Sequence, residues 1–162
     1  MRMTVIGCGY LGAVHAACMA ALGHDVVGID IDHDKVQALA SGRSPFHEPG
    51  LDEILAQGTA SGRLRFTAEP TAADLRGRGL HFITVGTPQA AGEGSADLSH
   101  LMCAVSMLVR LLDPDEGAVV VGKSTVPVGT AQRVEEALAP AGARLAWNPE
   151  FLREGFAVAD TL

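Results

Sequence analysis

Short apolar runs recur along the chain at intervals that suit strands separated by helices. Most of these runs are apolar at every position, so both faces of each strand are expected to be buried. Strands of this kind are typical of a parallel sheet that is covered by helices. Six strands are predicted, over residues 5–6, 26–29, 64–66, 81–85, 118–121 and 144–147.

Apolar side chains at three- and four-residue spacing predict helices between these strands. The two clearest helix faces are Leu11, Val14, His15, Cys18 and Leu22 after the first strand, and Leu101, Val105, Leu108 and Leu112 before the fifth. Asp97 or Ser99 is placed to cap the second of these helices. Further helices are predicted over residues 49–57 and 130–138, and a flexible loop is predicted over residues 89–96.

The alternation of strands and helices predicts an α/β fold. The expected architecture is a Rossmann-type doubly wound parallel sheet, with helices on both faces and right-handed crossovers. The chain has 162 residues, which is the usual size of one domain and is long enough to bury a core. Residues 1–162 are therefore expected to form a single domain.

A glycine motif follows the first predicted strand and opens the first predicted helix. Gly7, Gly9 and Gly12, with Tyr10 and Leu11 between them, match G-x-G-x-x-G. The first glycine permits a tight turn, the second lets the backbone approach a pyrophosphate, and the third lets the helix pack close to the sheet. The free N–H groups at the start of the helix attract phosphates. The motif in this setting predicts a dinucleotide-binding site.

Asp30 indicates which dinucleotide is bound. It closes the second predicted strand, 18 residues after Gly12, where an acidic side chain accepts hydrogen bonds from the adenosine ribose hydroxyls. A carboxylate at this place repels the 2′-phosphate of NADP. The predicted cofactor is therefore NAD, and equal affinity for NAD and NADP would contradict the role of Asp30.

Composition excludes several other function classes. The net charge of −7 and the aromatic content of 4% argue against nucleic acid as a partner. Three scattered cysteines and dispersed histidines form no metal-ligand pattern. The small number of cysteines indicates a reducing compartment. No apolar run is long enough to span a membrane, and a strand so close to the N-terminus leaves no room for a signal peptide. A cytoplasmic protein without a membrane partner and without a metal is expected.

Motifs at the ends of the later strands identify a family. The strings V-G-T-P at 85–88, K-S-T-V-P-V-G at 123–129 and N-P-E-F-L-R-E-G at 148–155 all lie at the carboxyl ends of predicted strands. The string G-R-S-P-F-H-E-P-G-L at 42–51 precedes them. Together and in this order, these strings resemble the UDP-glucose/GDP-mannose dehydrogenase family, and the resemblance covers the whole chain.

The resemblance implies a reaction as well as a fold. Enzymes of this family oxidise the C6 alcohol of a nucleotide sugar to a carboxylate and use two NAD molecules in succession. An aldehyde is held as a cysteine thiohemiacetal, oxidised to a thioester and then hydrolysed. The run F-L-R-E-G looks most like the enzymes that convert UDP-glucose to UDP-glucuronate, an activity that belongs to polysaccharide biosynthesis.

The resemblance also implies roles for particular residues. Glu150 would be the general base for thioester hydrolysis, Thr125 would help to order the water, and Glu154 would lie against the nicotinamide carboxamide. The residues implied at the cofactor are Gly7, Gly9, Tyr10, Leu11, Gly12, Asp30, Lys35, Thr87, Thr125 and Glu154. The residues implied at the sugar nucleotide are Glu150, Phe151, Leu152 and Arg153.

The family's catalytic cysteine is expected to lie beyond residue 162. Cys8, Cys18 and Cys103 are all expected to be buried structural thiols. The chain would then be a fragment that binds NAD without turnover, lacking the central helix and the C-terminal sugar-nucleotide domain. The full-length enzyme is expected to be a homodimer through that helix, and residues 157–162 would be poorly ordered without it.

Two kinds of alternative remain open. A non-catalytic NAD-sensing module would share the glycine loop and Asp30, but it would have no use for the two later signatures. The substrate could also be GDP-mannose, TDP-glucose or a UDP-N-acetylhexosamine.

Among single residues, Lys123 fits a ligand contact or a structural role equally, and Glu48 is interpreted mainly as a helix-entry residue. His15 and Cys18 share a helix face and are interpreted as core residues rather than metal ligands.

Overall fold

The computed structural model of the chain describes residues 1–90 and 95–162. Within these residues, six parallel strands form one sheet in the order β3-β2-β1-β4-β5-β6. The strands are β1 (Arg2–Ile6), β2 (Asp25–Ile29), β3 (Leu64–Thr67), β4 (Leu80–Ile83), β5 (Val119–Gly122) and β6 (Arg144–Trp147). Each corresponds to a strand predicted from the apolar runs.

Helices cover both faces of the sheet. They are α1 (Tyr10–Ala21), α2 (His33–Ala40), α3 (Leu51–Ala60), α4 (Ala72–Leu75), α5 (Ser99–Leu111), α6 (Thr130–Leu138) and α7 (Ala157–Thr161), with 3-10 turns at Pro114–Glu116 and Ala139–Ala141. One apolar core lies between the sheet and α1, α3 and α7, and the other lies between the sheet and α5 and α6. This strand order is that of a doubly wound dinucleotide-binding sheet, so the predicted fold class is confirmed.

Helix α5 matches its predicted apolar face, and α1 is buried more completely than its face implied. The predicted face of α5 is buried along its whole length: Leu101, Val105, Leu108 and Leu112. In α1, residues 12–18 are all buried, because α3 and α7 pack on the helix as well as the sheet. The prediction that Leu22 lies on the buried face is wrong, since α1 ends at Ala21 and Leu22 is 53% exposed.

Helices α2 and α4 show no apolar periodicity in the sequence, because they bury little apolar surface. The only buried residue of α2 is Leu39, and α2 begins where the Asp32 side chain accepts the N–H of Lys35 at 3.0 Å. Helix α4 has four residues and begins with a capping box formed by Thr71 and Asp74. In both cases a local cap, rather than a stripe of apolar residues, marks the start.

The C-terminal residues differ from expectation. Residues 157–162 are predicted to be poorly ordered, but residues 157–161 form helix α7, which packs on α1 with Ala157 fully buried. The expectation is wrong because this short helix is held by the rest of the domain, through a buried carboxylate described below. In the loop predicted over residues 89–96, Gln89 and Ala96 form an antiparallel bridge, and residues 91–94 lie outside the described residues.

Nothing in the described part of the chain forms a helix that is both long and apolar enough to cross a membrane. Strand β4 is shorter than predicted: its pairing ends at Ile83, although the Thr84 N–H still donates to Ile6 O at 2.8 Å. Beyond Thr84 the chain leaves the sheet, and Val85 and Gly86 line a cavity instead.

Two buried histidines should make the domain sensitive to acid. Burial lowers the pKa of His15 and of His81 to about 4. Because the unfolded histidines keep a pKa of about 6.5, the unfolded chain binds more protons between these values, and acidification through this window destabilises the fold. We expect the free energy of unfolding to fall by about 2 kcal/mol per histidine between pH 7 and pH 5, as measured by urea unfolding.

A variant pair tests this expectation. His15→Leu replaces a ring that packs edge-on against Phe82, with centroids 4.4 Å apart, and it should remove about half of the acid-dependent loss. His47→Gln alters an exposed histidine and should leave the loss unchanged. Equal unfolding free energies of the unmodified chain at pH 7 and pH 5 would contradict the assignment.

Candidate active site

The predicted site residues gather at the carboxyl edge of the sheet, around the point where the strand order reverses. Strand β1 lies between β2 and β4, so the loops that follow β1 and β4 run to opposite faces and leave a crevice, which is where such sheets bind ligands. A cavity of about 670 Å³ opens there. Its walls are the glycine loop, the end of β2, residues 84–86 and one side of α5.

The three glycines of the motif differ in backbone conformation and in the space around them. Gly7 has a φ of +92°, a conformation that disfavours other residues. A Cβ on Gly12 would lie 1.9 Å from Gly7 O and 2.6 Å from Thr84 Oγ1, so only glycine lets α1 approach the sheet this closely. A Cβ on Gly9 would meet nothing within 4 Å.

The open space at Gly9 is the space that a bound phosphate needs. Gly9 precedes the first residue of α1, no side chain caps the helix there, and its first turn carries no acidic residue. The backbone N–H groups of this turn are therefore left to an anion. The residues present fit a dinucleotide, with the helix start facing the pyrophosphate and the cavity receiving the adenosine.

Asp30 occupies the predicted place at the end of β2, and its carboxylate is well held. Its Oδ2 accepts the Cys8 N–H at 2.7 Å and the Lys35 ammonium at 3.0 Å, and its Oδ1 accepts the Asp32 N–H at 3.0 Å. Asp30 and Lys35 both line the cavity. The carboxylate thus ties the glycine loop to the start of α2 and presents a negative charge at the cavity wall.

This geometry leads to a test of cofactor choice. We expect the chain to bind NAD at least about tenfold more tightly than NADP, because the Asp30 carboxylate repels a 2′-phosphate. Asp30→Asn, which keeps the shape of the side chain, should reduce that ratio by about tenfold in calorimetric titrations. Asp34→Asn, at an exposed position of α2, is the matched control and should leave the ratio unchanged. Equal affinity of the unmodified chain for the two cofactors would refute the role of Asp30.

Side-chain hydrogen bonds join the segments that follow β4 and β5 to each other and to the end of β6. The Thr87 hydroxyl donates to Thr125 O at 2.8 Å, and the Ser124 hydroxyl donates to Val85 O at 2.6 Å. The Trp147 indole N–H donates to Ser124 O at 3.1 Å. These bonds fix the predicted residues Thr87 and Thr125 relative to each other, and they leave the Thr125 side chain exposed.

Glu150 forms an ion pair with a buried lysine. The Lys123 ammonium donates to Glu150 Oε2 at 2.8 Å and to Asn148 Oδ1 at 3.0 Å. The Lys123 side chain is 5% exposed, and the Glu150 side chain is 30% exposed. The hydrogen bond from Lys123 is the main reason that the pKa of Glu150 is lowered. Its Oε1 accepts the Phe151 N–H at 3.0 Å, so Glu150 is a charged carboxylate that is partly exposed to solvent.

The four residues after Glu150 face different surroundings. Phe151 is 81% exposed, whereas Leu152 packs against the core under α1. Arg153 pairs with Asp160 of α7 at 2.6 Å and lies over the Phe156 ring, 5.1 Å from its centroid. Glu154 is exposed. The predicted contacts of these residues with a sugar nucleotide remain predictions.

The cysteines match expectation only in part. Cys8 and Cys18 are buried, and burial raises the pKa of both thiols, that of Cys18 to about 11. Neither is a thiolate at neutral pH, so neither is suited to nucleophilic attack. The prediction that Cys103 is buried is wrong, because it lies on the side of α5 that faces the cavity and is exposed. No three side chains of the described residues are placed to hold a metal ion.

Comparison with known proteins identifies the family. A sequence model of the UDP-glucose/GDP-mannose dehydrogenase family, NAD binding domain, matches residues 1–162. The chain belongs to this family. The NAD cofactor predicted from the glycine loop and Asp30 is the cofactor that this domain of the family binds.

The named relatives are longer than this chain. It is 46% identical over 164 residues to a UDP-glucose 6-dehydrogenase of Rhizobium meliloti, a match that covers 99% of this chain and 37% of that protein. The structure of a UDP-glucose dehydrogenase from Pyrobaculum islandicum is similar with a TM-score of 0.88 and 43% identity, over 98% of this chain and 38% of that one. A GDP-mannose dehydrogenase structure from Pseudomonas aeruginosa gives a TM-score of 0.90 and 35% identity, over 99% and 38%. The chain thus spans little more than a third of the relatives' length.

Two residues make contacts at the candidate site that the sequence does not predict. Lys123, left open between a ligand contact and a structural role, directly contacts the predicted base Glu150. Glu48, interpreted mainly as a helix-entry residue, has a buried carboxylate that contacts the Tyr10 hydroxyl and the N–H of Gly155. Lys123 and Glu48 both lie inside a family motif, which is the feature of the sequence that marks them. The residues that they contact lie far away in the sequence, so these contacts could not be predicted.

Proposed function

We propose that this chain is the NAD-binding part of an enzyme that oxidises the C6 alcohol of a nucleotide sugar to the carboxylate, with UDP-glucose as the substrate and UDP-glucuronate as the product. One observation carries the proposal. A partly exposed carboxylate, Glu150, is held by buried Lys123 at the same sheet edge as the glycine-loop cavity. A protein that only sensed NAD would have no use for a base at this edge.

In this proposal the first half of the chain holds the cofactor. The glycine loop and the start of α1 bind the pyrophosphate, with Tyr10 and Leu11 on the first turn, and Asp30 and Lys35 bind the adenosine ribose. Thr87, in the segment that follows β4 beside the cavity-lining Val85 and Gly86, lies along the dinucleotide. When bound, NAD supplies the hydride acceptor for the oxidation of the sugar carbon.

The second half of the chain would serve the hydrolytic step. Glu150 accepts a proton from the attacking water, since a charged carboxylate is the form that a general base requires. Thr125, whose backbone is fixed by Thr87, orders that water. Glu154 lies against the nicotinamide carboxamide, and residues 151–153 line the sugar-nucleotide site.

We further propose that the nucleophilic cysteine is supplied from outside these 162 residues. The buried Cys8 and Cys18 have raised pKa values, and Cys103 lies on the wall of the cavity proposed for the adenosine. The domain alone is therefore expected to bind NAD without oxidising sugar, and detectable oxidation by the domain would refute this. The full-length protein is proposed to act as a homodimer in the cytoplasm.

The decisive experiment is NADH formation by the full-length gene product with UDP-glucose, TDP-glucose, GDP-mannose and UDP-N-acetylhexosamines. About two NADH per UDP-glucose consumed are expected, because an alcohol is taken through an acyl intermediate to an acid. The same stoichiometry with another sugar alone would keep the reaction and change the substrate. No NADH with any sugar, despite tight binding of NAD, would favour the sensing module.

A further inference from the structure

Glu48 is a buried carboxylate that lies outside the catalytic roles proposed above. It lies in the connection between α2 and α3, three residues before α3 begins at Leu51, and it is 6% exposed. Its side chain does not cap α3, which begins after Gly50 without a side-chain cap. A buried carboxylate is costly unless its oxygens accept hydrogen bonds, so its partners indicate what it is for.

Both oxygens of Glu48 are used, and their partners come from distant parts of the chain. Oε2 accepts the Tyr10 hydroxyl and the Gly155 N–H, the latter at 2.8 Å, and Oε1 accepts the Val158 N–H at 3.2 Å. The Gly155 N–H also lies 3.1 Å from the Tyr10 hydroxyl oxygen. We call these four residues, Tyr10, Glu48, Gly155 and Val158, the Glu48 junction.

The carboxylate of the junction is charged. Burial by itself raises the pKa of Glu48, but the hydrogen bonds from the Tyr10 hydroxyl and from the N–H groups of Val158 and Gly155 outweigh burial, and the pKa is lowered. Hydrogen bonds to an ionised acceptor are stronger than those between neutral groups. The junction therefore holds its partners more firmly than a neutral side chain in the same place.

The junction connects the two motifs of the proposed site. Tyr10 is the first residue of α1, directly after the open Gly9, and Gly155 directly follows Glu154. Helix α7 has five residues, and a helix that short is unstable on its own, so the segment from Gly155 onward depends on contacts with the rest of the domain. Ala157, between the two N–H donors, is fully buried beside α1.

We propose that Glu48 is a positioning residue that fixes the segment bearing Glu150 and Glu154 against the glycine loop of the cofactor site. Its effect on catalysis rests on the function proposed above. Through the junction, the substrate-side segment keeps a fixed place relative to the first turn of α1. Loss of the Glu48 charge is expected to loosen that segment without opening the sheet.

Hydrogen–deuterium exchange of the full-length protein tests the proposal directly. Glu48→Gln keeps the size of the side chain but removes its charge and leaves one donor facing another. The peptide covering residues 153–160 should lose about tenfold of its protection, while peptides in β1 and β4 keep theirs, because exchange reports local opening. Unchanged protection in 153–160, or an equal loss throughout the domain, would overturn the proposal.

Two further variants sharpen the test. Tyr10→Phe removes only the hydroxyl and should give a smaller loss in residues 153–160, whereas no loss there would overturn the link between the glycine loop and that segment. Glu135→Gln, at an exposed position on α6, is the matched control and should leave exchange unchanged. Tyr10→Phe also keeps the proposal testable if Glu48→Gln fails to fold.

Kinetics separate this proposal from the function on which it rests. In Glu48→Gln the KM for the nucleotide sugar should rise by about fivefold or more, while the Kd for NAD should rise by less than about twofold, because Glu154 is the one NAD contact proposed on that segment and Glu48 does not line the cavity. An equal rise in both constants would overturn the positioning role. If the unmodified protein oxidises no sugar but the exchange result holds, the junction stands and the proposed function falls.

Discussion

Replacing Gly12 by alanine should lower the free energy of unfolding by about 3 kcal/mol or more and should weaken NAD binding as well. The added Cβ would lie 1.9 Å from the Gly7 carbonyl oxygen and 2.6 Å from Thr84 Oγ1. Neither neighbour yields easily, because one is backbone and the other is a hydroxyl that donates to Gly7 O at 2.6 Å. Helix α1 would have to move off the sheet, and urea unfolding with NAD titration measures both effects.

Gly9→Ala is the matched control, and it should separate binding from stability. A Cβ at Gly9 meets nothing within 4 Å, and its φ of −66° suits alanine. The unfolding free energy should change by less than about 1 kcal/mol. The affinity for NAD should nevertheless fall at least about tenfold, since the methyl group occupies the space proposed for the pyrophosphate. A stable Gly12→Ala variant, or a Gly9→Ala variant with unchanged affinity, would contradict this account of the loop.

Replacing Glu150 by glutamine in the full-length protein should slow steady-state turnover by about 100-fold to 10,000-fold, the usual contribution of a general base. NAD binding should stay unchanged, because Glu150 does not line the cavity. If hydrolysis of an acyl intermediate is the step lost, rapid mixing should show a burst of NADH followed by slow turnover. Unchanged turnover would remove Glu150 from its proposed role.

Lys123 makes a second arm of the same test possible. Because Lys123 lowers the pKa of Glu150, the carboxylate stays charged, and the acid side of the pH–rate profile should lie below the ordinary range of a glutamate. Lys123→Met removes that hydrogen bond, raises the pKa of Glu150 and should move the acid limb to higher pH, whereas Lys123→Arg should largely restore it. An acid limb at the same pH in Lys123→Met would show that Glu150 does not set the profile.

The features that sequence analysis predicted correctly depend on neighbours along the chain. The glycine spacing, the strand before it and the acidic residue after β2 all belong to one β-α-β unit, so their geometry follows from local rules. The buried face of α5 could also be predicted, because one side of that helix packs on the sheet and the other faces solvent or the cavity. Local pattern also accounts for all six predicted strands.

The features that it missed depend on distant partners. Glu48 and Gly155 are 107 positions apart, and no periodicity connects them. Helix α1 is covered by α3 and α7 as well as by the sheet. The single apolar face predicted from the sequence therefore understates how much of the helix is buried. Cys103 shows the opposite case, since an apolar helix position faces a ligand cavity instead of the core.

The central place of β1 has a consequence for how the domain is made. Its first neighbour, β2, follows directly, but its second neighbour, β4, begins only at Leu80. During synthesis, one edge of β1 therefore keeps its amide and carbonyl groups unpaired until Leu80 and the rest of β4 have left the ribosome. Nascent chains that stall before Leu80 expose an apolar strand edge that invites pairing with other chains. The strand that supports the cofactor loop is thus also a point at which the growing polypeptide can aggregate.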